Sequence, residues 1–463
     1  MPDEKHGASA GDEATAIRAR LAELAAEQSR LEQALRTLEA ASHPALPLSS
    51  ESSSAPITPA DKVALFLRLF AARRSVYPRF WENHKTGKKG YAPACDNEWK
   101  RGVCEKPRVK CTDCPHQRFP QLDEQAVEAH LRGAHTIGTY AIRDDDSCIF
   151  LAADFDGDGW WDDAQAFRDA AAQSGVFVAV ERSRSGNGAH AWIFFAEPVP
   201  AVLARRLGTI FVAKASAYRP TLSLRAYDRF FPNQDILPSG GFGNLIALPL
   251  AKEPRRRGNT VFLDANGAPH PDQWGFLAAI RPMSRDELDA TLARFAPLAP
   301  IGGGTPAHPL SLQADERALE LSSPRVPADT VHGEITLRLD SAIHVPRDAL
   351  PAAVLAALKR LATFANPVFH EKQRLRFPTY DTPRFIFAGE WHPDRLVLPR
   401  GVLEEAVGIL EDAGASVIIH DARPVAPRER WKFHGELRPD QERAVRALVK
   451  HEHVHPRPLL VLA

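Results

Sequence analysis

The sequence predicts a mixed α/β protein, and three observations carry that prediction. Short β-prone apolar runs, CIFLAADFD, VFVAVER and AHAWIFF, recur between Cys148 and Phe195. The helical pattern AQAFRDAAAQSG stands between two of them, so segments of period two and period 3.6 alternate. The chain has 463 residues, 44% of them apolar, which is enough for about two or three domains of ordinary size.

Formal net charge is zero, so no global field draws the chain to nucleic acid or membrane, and any such partner must meet a local patch. No apolar run approaches the roughly 18–20 residues of a membrane span, and the acidic start MPDEKHGASAGDEA is not a signal peptide. A cytoplasmic protein without a membrane partner is expected.

Ile17, Leu21, Leu24, Gln28, Leu31, Leu35 and Leu38 alternate in steps of four and three, the seam of a short coiled coil. Residues 1–45 are therefore read as a coiled-coil helix with a disordered start, able to pair two chains through residues 14–41 or to lie on its own chain. A Ser- and Pro-rich linker follows at 46–60. The main α/β domain is expected at 61–281, and a linker at 282–332 includes the helical run SRDELDATLARFA and the Gly- and Pro-rich IGGGTPAHP. A second small α/β unit is expected at 333–427, with a last segment at 428–463.

The stretch LAADFDGDGWWDD places Asp154, Asp156 and Asp158 at alternate positions before Gly159. A calcium loop counted from Asp154 needs a bidentate Glu at its twelfth position, which here is Gln165, and a helix rather than a strand leading in. On a strand, Asp154 and Asp156 share a face. Two carboxylates at the end of a buried strand repel and lose solvation unless a cation neutralises them. Mg²⁺ or Mn²⁺ suits that role and phosphoryl transfer by two metals; the bland alternative is a solvated acidic turn.

ERSRSGNGAHAWIFF reads as a β-hairpin with a tight Ser-Gly-Asn-Gly turn. The turn gathers Ser185, backbone amides and His190, a combination that can hold a phosphate. A third element, SLRAYDRFFPNQD, offers Asp228 beside Arg229, with Asp235 as an alternative acid, and leads to GGFGNLIALPL.

These elements, in this order, resemble the archaeo-eukaryotic primase superfamily: a strand ending in Asp-x-Asp, a Ser/Gly-rich turn leading to a strand His, and a later single acid. YPRFWENHKTGKKGYAPACDNEWKRGVCEKPRVKC, FLAADFDGDGW, ERSRSGNGAHAWIFF and YDRFFPNQDILPSGGFGNLIALPL are similar, block by block, to the primase module of TOTE conflict systems, in which a primase is joined to a helicase. The resemblance implies an RRM-like catalytic core. Asp154, Asp156 and Asp228 would hold Mg²⁺ or Mn²⁺, Ser185 and His190 would contact the triphosphate, and Arg229 is a candidate phosphate contact. The implied activity is template-dependent nucleotidyl transfer from NTPs or dNTPs on single-stranded DNA or RNA, with helicase and nuclease partners. The rival readings are a non-catalytic nucleic-acid-binding scaffold and an inactive remnant of a primase-helicase fusion.

Cys95, Cys104, Cys111 and Cys114 are separated by eight, six and two residues, a spacing that suits a closed, structural Zn²⁺ site. Four reduced thiols, or His116 or His84 replacing one ligand, remain open alternatives. Trp99 and six Lys or Arg residues surround the cluster, which makes it either a nucleic-acid patch or a solvated basic face. Near the C-terminus, FHGELRPDQERAV resembles the adenine-reading motif that opens superfamily 2 helicases, with Gln441 as adenine contact and Phe433 upstream. HVHPRPLLVLA stands where a phosphate loop is expected, so no helicase activity is expected of this chain.

Overall fold

The computed structural model describes residues 20, 58–219, 222, 229–295, 326–379, 381–423 and 434–450. Asp228, Phe433 and every residue of the coiled-coil seam lie outside them. The strands and helices named below fall in one compact unit, Glu51–Ala463.

Helix α1 (Pro59–Phe70) opens on a capping box in which the Thr58 hydroxyl accepts from the Asp61 amide and the Asp61 carboxylate accepts from the Thr58 amide. The hairpin of β1 (Pro78–Glu82) and β2 (Lys89–Pro93) follows, then the cysteine-bearing segment, α2 (Glu124–Arg132), β3 (Gly138–Tyr140) and β4 (Ser147–Asp156). The chain continues through α3 (Trp160–Ala172), β5 (Ala179–Arg182), β6 (Gly188–Pro200), α4 (Ala201–Tyr218), β7 (Phe230–Phe231) and β8 (Leu245–Ala247). It then forms α5 (Lys252–Arg256), β9 (Phe262–Leu263), α6 (Gln273–Ala279) and α7 (Arg285–Ala293).

Strands β7, β4, β6, β5 and β9 lie in that order in an antiparallel sheet, and both faces are covered. Strand alternation sorts the side chains. Leu151, Ala153, Phe155, Ala191, Ile193 and Phe195 face a core shared with α3 and α4. Phe150, Ala152, Ala179, Trp192 and Phe194 face the other core, with Phe66 and Phe70 of α1. A sheet buried on both faces explains why its strands read as nearly continuous apolar runs. On the α1 side, Phe70 and Phe150 meet Trp192 edge-on, with ring centroids 5.2 and 5.0 Å away.

Helix α7 differs from the expected linker. Capped by Ser284 and Glu287, it buries Leu288 and Leu292 in the core beneath α4, so the first domain runs past Arg281. A capped helix with apolar residues four apart needs a surface to cover, and α4 and β6 supply it.

The second sheet combines β10 (Glu334–Leu339), β11 (Ala342–Pro346), β14 (Glu390–Trp391), β15 (Arg395–Pro399) and β16 (Ser416–Asp421) in the order β14-β15-β11-β10-β16. Helix α8 (Ala352–Leu361), the strand pair β12 (Thr363–Ala365) and β13 (Phe385–Phe387), and α9 (Pro367–Arg374) lie between β11 and β14, while α10 (Leu403–Asp412) precedes β16. The unit does not stand apart from the first. Ala365 and Phe385 belong to the same buried cluster as α3 and α4, and Lys359 donates to the Leu222 carbonyl at 2.9 Å. Helix α11 (Pro439–Lys450) carries Gln441, whose Oε1 accepts from the Arg438 amide at 3.1 Å. Among the described residues, no helix is long and apolar enough to cross a membrane.

Candidate active site

The site lies where the α1-facing side of the first sheet turns from aromatic to charged. Register places Glu181 of β5 opposite His190 of β6, and His190 opposite Asp154 of β4; the Asp154 amide donates to the Arg229 carbonyl just before β7. Directly paired residues point to the same face, so Glu181, His190, Asp154 and Arg229 form a row across four strands with alternating charge. The row follows from local sequence, because each member sits two residues from an apolar side chain on the same face.

The His190 Nδ1–H donates to Glu181 Oε2 at 3.0 Å, and the Trp192 Nε1–H donates to the same oxygen at 2.9 Å. His190 Nε2 stands 3.9 Å from Asp154 Oδ1. Burial alone would depress the imidazole pKa, but the carboxylates of Glu181, Asp154 and Asp156 outweigh it and raise the pKa. Burial raises the Asp154 carboxyl above its ordinary value, Asp156 adds to the rise, and His190 and Arg229 oppose it.

Arg229 Nη1 lies 2.5 Å from Asp156 Oδ2 and 3.7 Å from Asp154 Oδ2. One cationic nitrogen thus reaches both carboxylates, so the pair converges on a point that a cation can share. Two oxygen-only groups, one of them in a poorly solvated position, fit a hard divalent cation such as Mg²⁺ or Mn²⁺. Gly188 makes the convergence sterically possible: a Cβ there would fall 2.4 Å from Asp156 Oδ1 and 2.7 Å from the Phe155 carbonyl.

The turn from β5 to β6 holds Ser185 at the surface. Its hydroxyl lies 3.0 Å from that of Ser183 and accepts from the Asn187 amide at 3.2 Å, while the Gly186 amide donates to the Ser183 carbonyl. The amides of Gly186 and Asn187 are thus bonded within the turn itself. The hydroxyl and the imidazole remain as groups that can meet a phosphate. Asp158 is exposed, outside the row and beyond the strand.

Sequence reasoning missed Glu181. It is 1% exposed, and a buried carboxylate must be matched by donors, here His190 and Trp192. The hairpin register held the signal, since counting back from the turn sets position 181 against 190. Replacing Glu181 with Gln is expected to lower the His190 pKa, as read by NMR titration of the imidazole. A raised pKa means that imidazolium stabilisation is complete below about 6.5 and is lost as pH rises through the folded-state value. The variant should therefore lose stability chiefly on the acidic side of that value, and an unshifted titration would refute the role.

Asp235, the alternative third acid, goes elsewhere. It is 3% exposed; Arg205 Nε lies 3.0 Å from Oδ1 and Arg384 Nη2 3.4 Å from Oδ2, and Gln373 donates to Oδ2 at 3.0 Å. That carboxylate is committed to cations of the protein itself.

Cys95, Cys104, Cys111 and Cys114 line one cavity of about 20 Å³, with Glu98, Lys106 and His116 at its wall. The volume is that of about one water-sized sphere. The Arg118 amide donates to Cys95 Sγ at 3.4 Å. Yet among the described residues no three His, Cys, Asp or Glu side chains are gathered closely enough to hold a metal. The cysteines therefore fit zinc by number, type and shared cavity, and not by a finished tetrahedron. Cys148 is separate and fully buried in the first sheet.

Among curated proteins none matches the chain. Among solved structures, one similar chain is the polymerase domain from Mycobacterium tuberculosis Ligase D in complex with DNA, 19% identical. The match covers 50% of this chain and 85% of that one, and its TM-score of 0.27 is too low to establish a shared arrangement. Residues 61–291 match the family model described as TOTE conflict system, Archaeo-Eukaryotic Primase domain.

Proposed function

We propose that the chain is a template-dependent primase-polymerase, a nucleotidyltransferase that builds or extends a strand from nucleoside triphosphates within a TOTE-type conflict system. The observation that carries this reading is the row Glu181–His190–Asp154–Arg229 with Asp156 beside it, within the residues that match the primase family model. In the reaction, a 3′-hydroxyl forms a bond to the α-phosphorus of the incoming nucleotide and pyrophosphate leaves. Asp154 and Asp156, with Asp228, would hold Mg²⁺ or Mn²⁺, which when bound supplies positive charge for the leaving phosphates and acidifies the attacking hydroxyl. His190, whose imidazolium form Glu181 favours, and Arg229 stand beside the carboxylates, where a triphosphate would need positive charge. Ser185 offers a hydroxyl from the turn.

The test is dinucleotide synthesis and primer extension on single-stranded template, comparing wild type with Asp154→Ala plus Asp156→Ala. Equal product from both would overturn the proposal. DNA binding without nucleotide incorporation in either protein would favour a non-catalytic scaffold.

The four cysteines are proposed to fold their segment around one Zn²⁺. Purified protein is expected to carry about one zinc per chain by elemental analysis. Cys114→Ser should lose zinc and sharply increase proteolysis between Cys95 and Cys114, while zinc-free protein with a protease-resistant segment would refute the site. A partner helicase and nuclease and an adenine contact by Gln441 are proposed on the resemblance, and pairing of two chains through residues 14–41 on the heptad seam.

A further inference from the structure

The hairpin β1–β2 sits against the nucleotide turn. Phe80 and Tyr91 are paired in register and face inward, with ring centroids 5.4 Å apart, and the Arg184 guanidinium lies 4.3 Å from the Phe80 centroid. Arg184 immediately precedes Ser185, so the hairpin and the turn are held together by a cation–π contact.

Trp81 alternates to the other face of the hairpin. It is opposite Gly90, whose Cβ, were there one, would fall 3.2 Å from the indole Cζ2. The indole therefore lies over the bare glycine with 44% of its residue surface exposed. Lys85, Lys88 and Lys89 are exposed in and beside the loop that closes the hairpin, where Asn83 Oδ1 accepts from the Lys85 and Thr86 amides. Residues 78–118 hold ten Lys and Arg against five Asp and Glu, in a chain of zero formal net charge. Trp99, 67% exposed, lies in the same stretch, and Arg79 ties the hairpin to it through Glu98 at 2.9 Å.

An exposed ring on a rigid strand, flanked by lysines, has the chemistry that recognises unpaired bases on a phosphate backbone; a duplex offers phosphates but no free base face. We propose that the outer face of β1–β2 is the surface that holds the single-stranded template, with Trp81 stacking on a base and Lys85 and Lys88 meeting phosphates beside the nucleotide turn. The inference rests on the primase reading for the identity of the strand as template, but strand binding itself is measured without catalysis.

The experiment is fluorescence anisotropy of the full chain with a labelled oligothymidine, without added Mg²⁺ or Mn²⁺ and without nucleotide, over a salt series. Trp81→Ala is expected to weaken binding about 5- to 100-fold, whereas Trp81→Phe, which keeps a ring, retains most of it. Lys85→Ala plus Lys88→Ala should reduce the salt slope by about 1.4. Unchanged affinity in Trp81→Ala, equal loss in the Ala and Phe variants, or the same loss for a blunt duplex overturns the proposal. Failure of the catalytic reading would then show as binding without incorporation, and failure of this one as incorporation that is indifferent to Trp81.

Discussion

Loss of Asp154 and Asp156 together is expected to cut nucleotide incorporation by at least about 10³-fold, while the melting temperature stays at or above that of the wild type. The first half follows from charge. A site that gathers triphosphate charge without its divalent cation forfeits several kcal/mol of transition-state stabilisation, and each 1.4 kcal/mol is tenfold in rate. The second half follows from the pKa of Asp154. Burial and the neighbouring Asp156 raise it, so the ionised carboxyl weakens the apo fold at neutral pH. The sign is that of a raised acid: its contribution is most favourable below the unfolded pKa and declines as pH rises through the folded one. Removing the carboxyl removes that cost, and Arg229, partly exposed, can turn to water. Scanning calorimetry alongside the extension assay checks both halves. A variant that is inactive and also markedly less stable would show that the aspartates hold the sheet together.

Asp235→Ala is expected to destabilise the protein by about 3–5 kcal/mol, the range for removing one partner of a buried ion pair. Arg205 has 0% of its side chain exposed and Arg384 4%, so neither guanidinium can recover its lost counter-charge from solvent. Gln373 would also lose an acceptor for its amide. Urea denaturation at fixed pH measures the change. A shift under about 1 kcal/mol would mean that the surrounding apolar packing holds these elements without the carboxylate.

The separation of what was legible from what was not follows sequence distance. The strand ending in Asp154 and Asp156 and the hairpin carrying His190 are set by alternation and turn chemistry within about a dozen residues, and both could be read directly. Glu181 required the hairpin to be folded on paper and its register counted. The engagement of Asp235 could not be read at all, because Gln373 and Arg384 lie 138 and 149 positions away. Nothing local tells an acid that will be buried against distant arginines from one that will hold a metal. The same limit applies to α7, whose caps were readable but whose burial beneath α4 was not.

The short path from Arg229 to Asp235 is gripped at both ends. At one end the Arg229 carbonyl and Phe230 pair with β4; at the other, Arg205 of α4, Gln373 of α9 and Arg384, just before β13, hold Asp235. The stretch therefore links α4, α9 and the start of β13 to the carboxylates. A portion cut at residue 291 would keep Arg205 on Asp235 but lose Gln373 and Arg384 from the same carboxylate. Substitutions at Gln373 or Arg384 can reach Arg229 mechanically, with no contact to the carboxylates it spans.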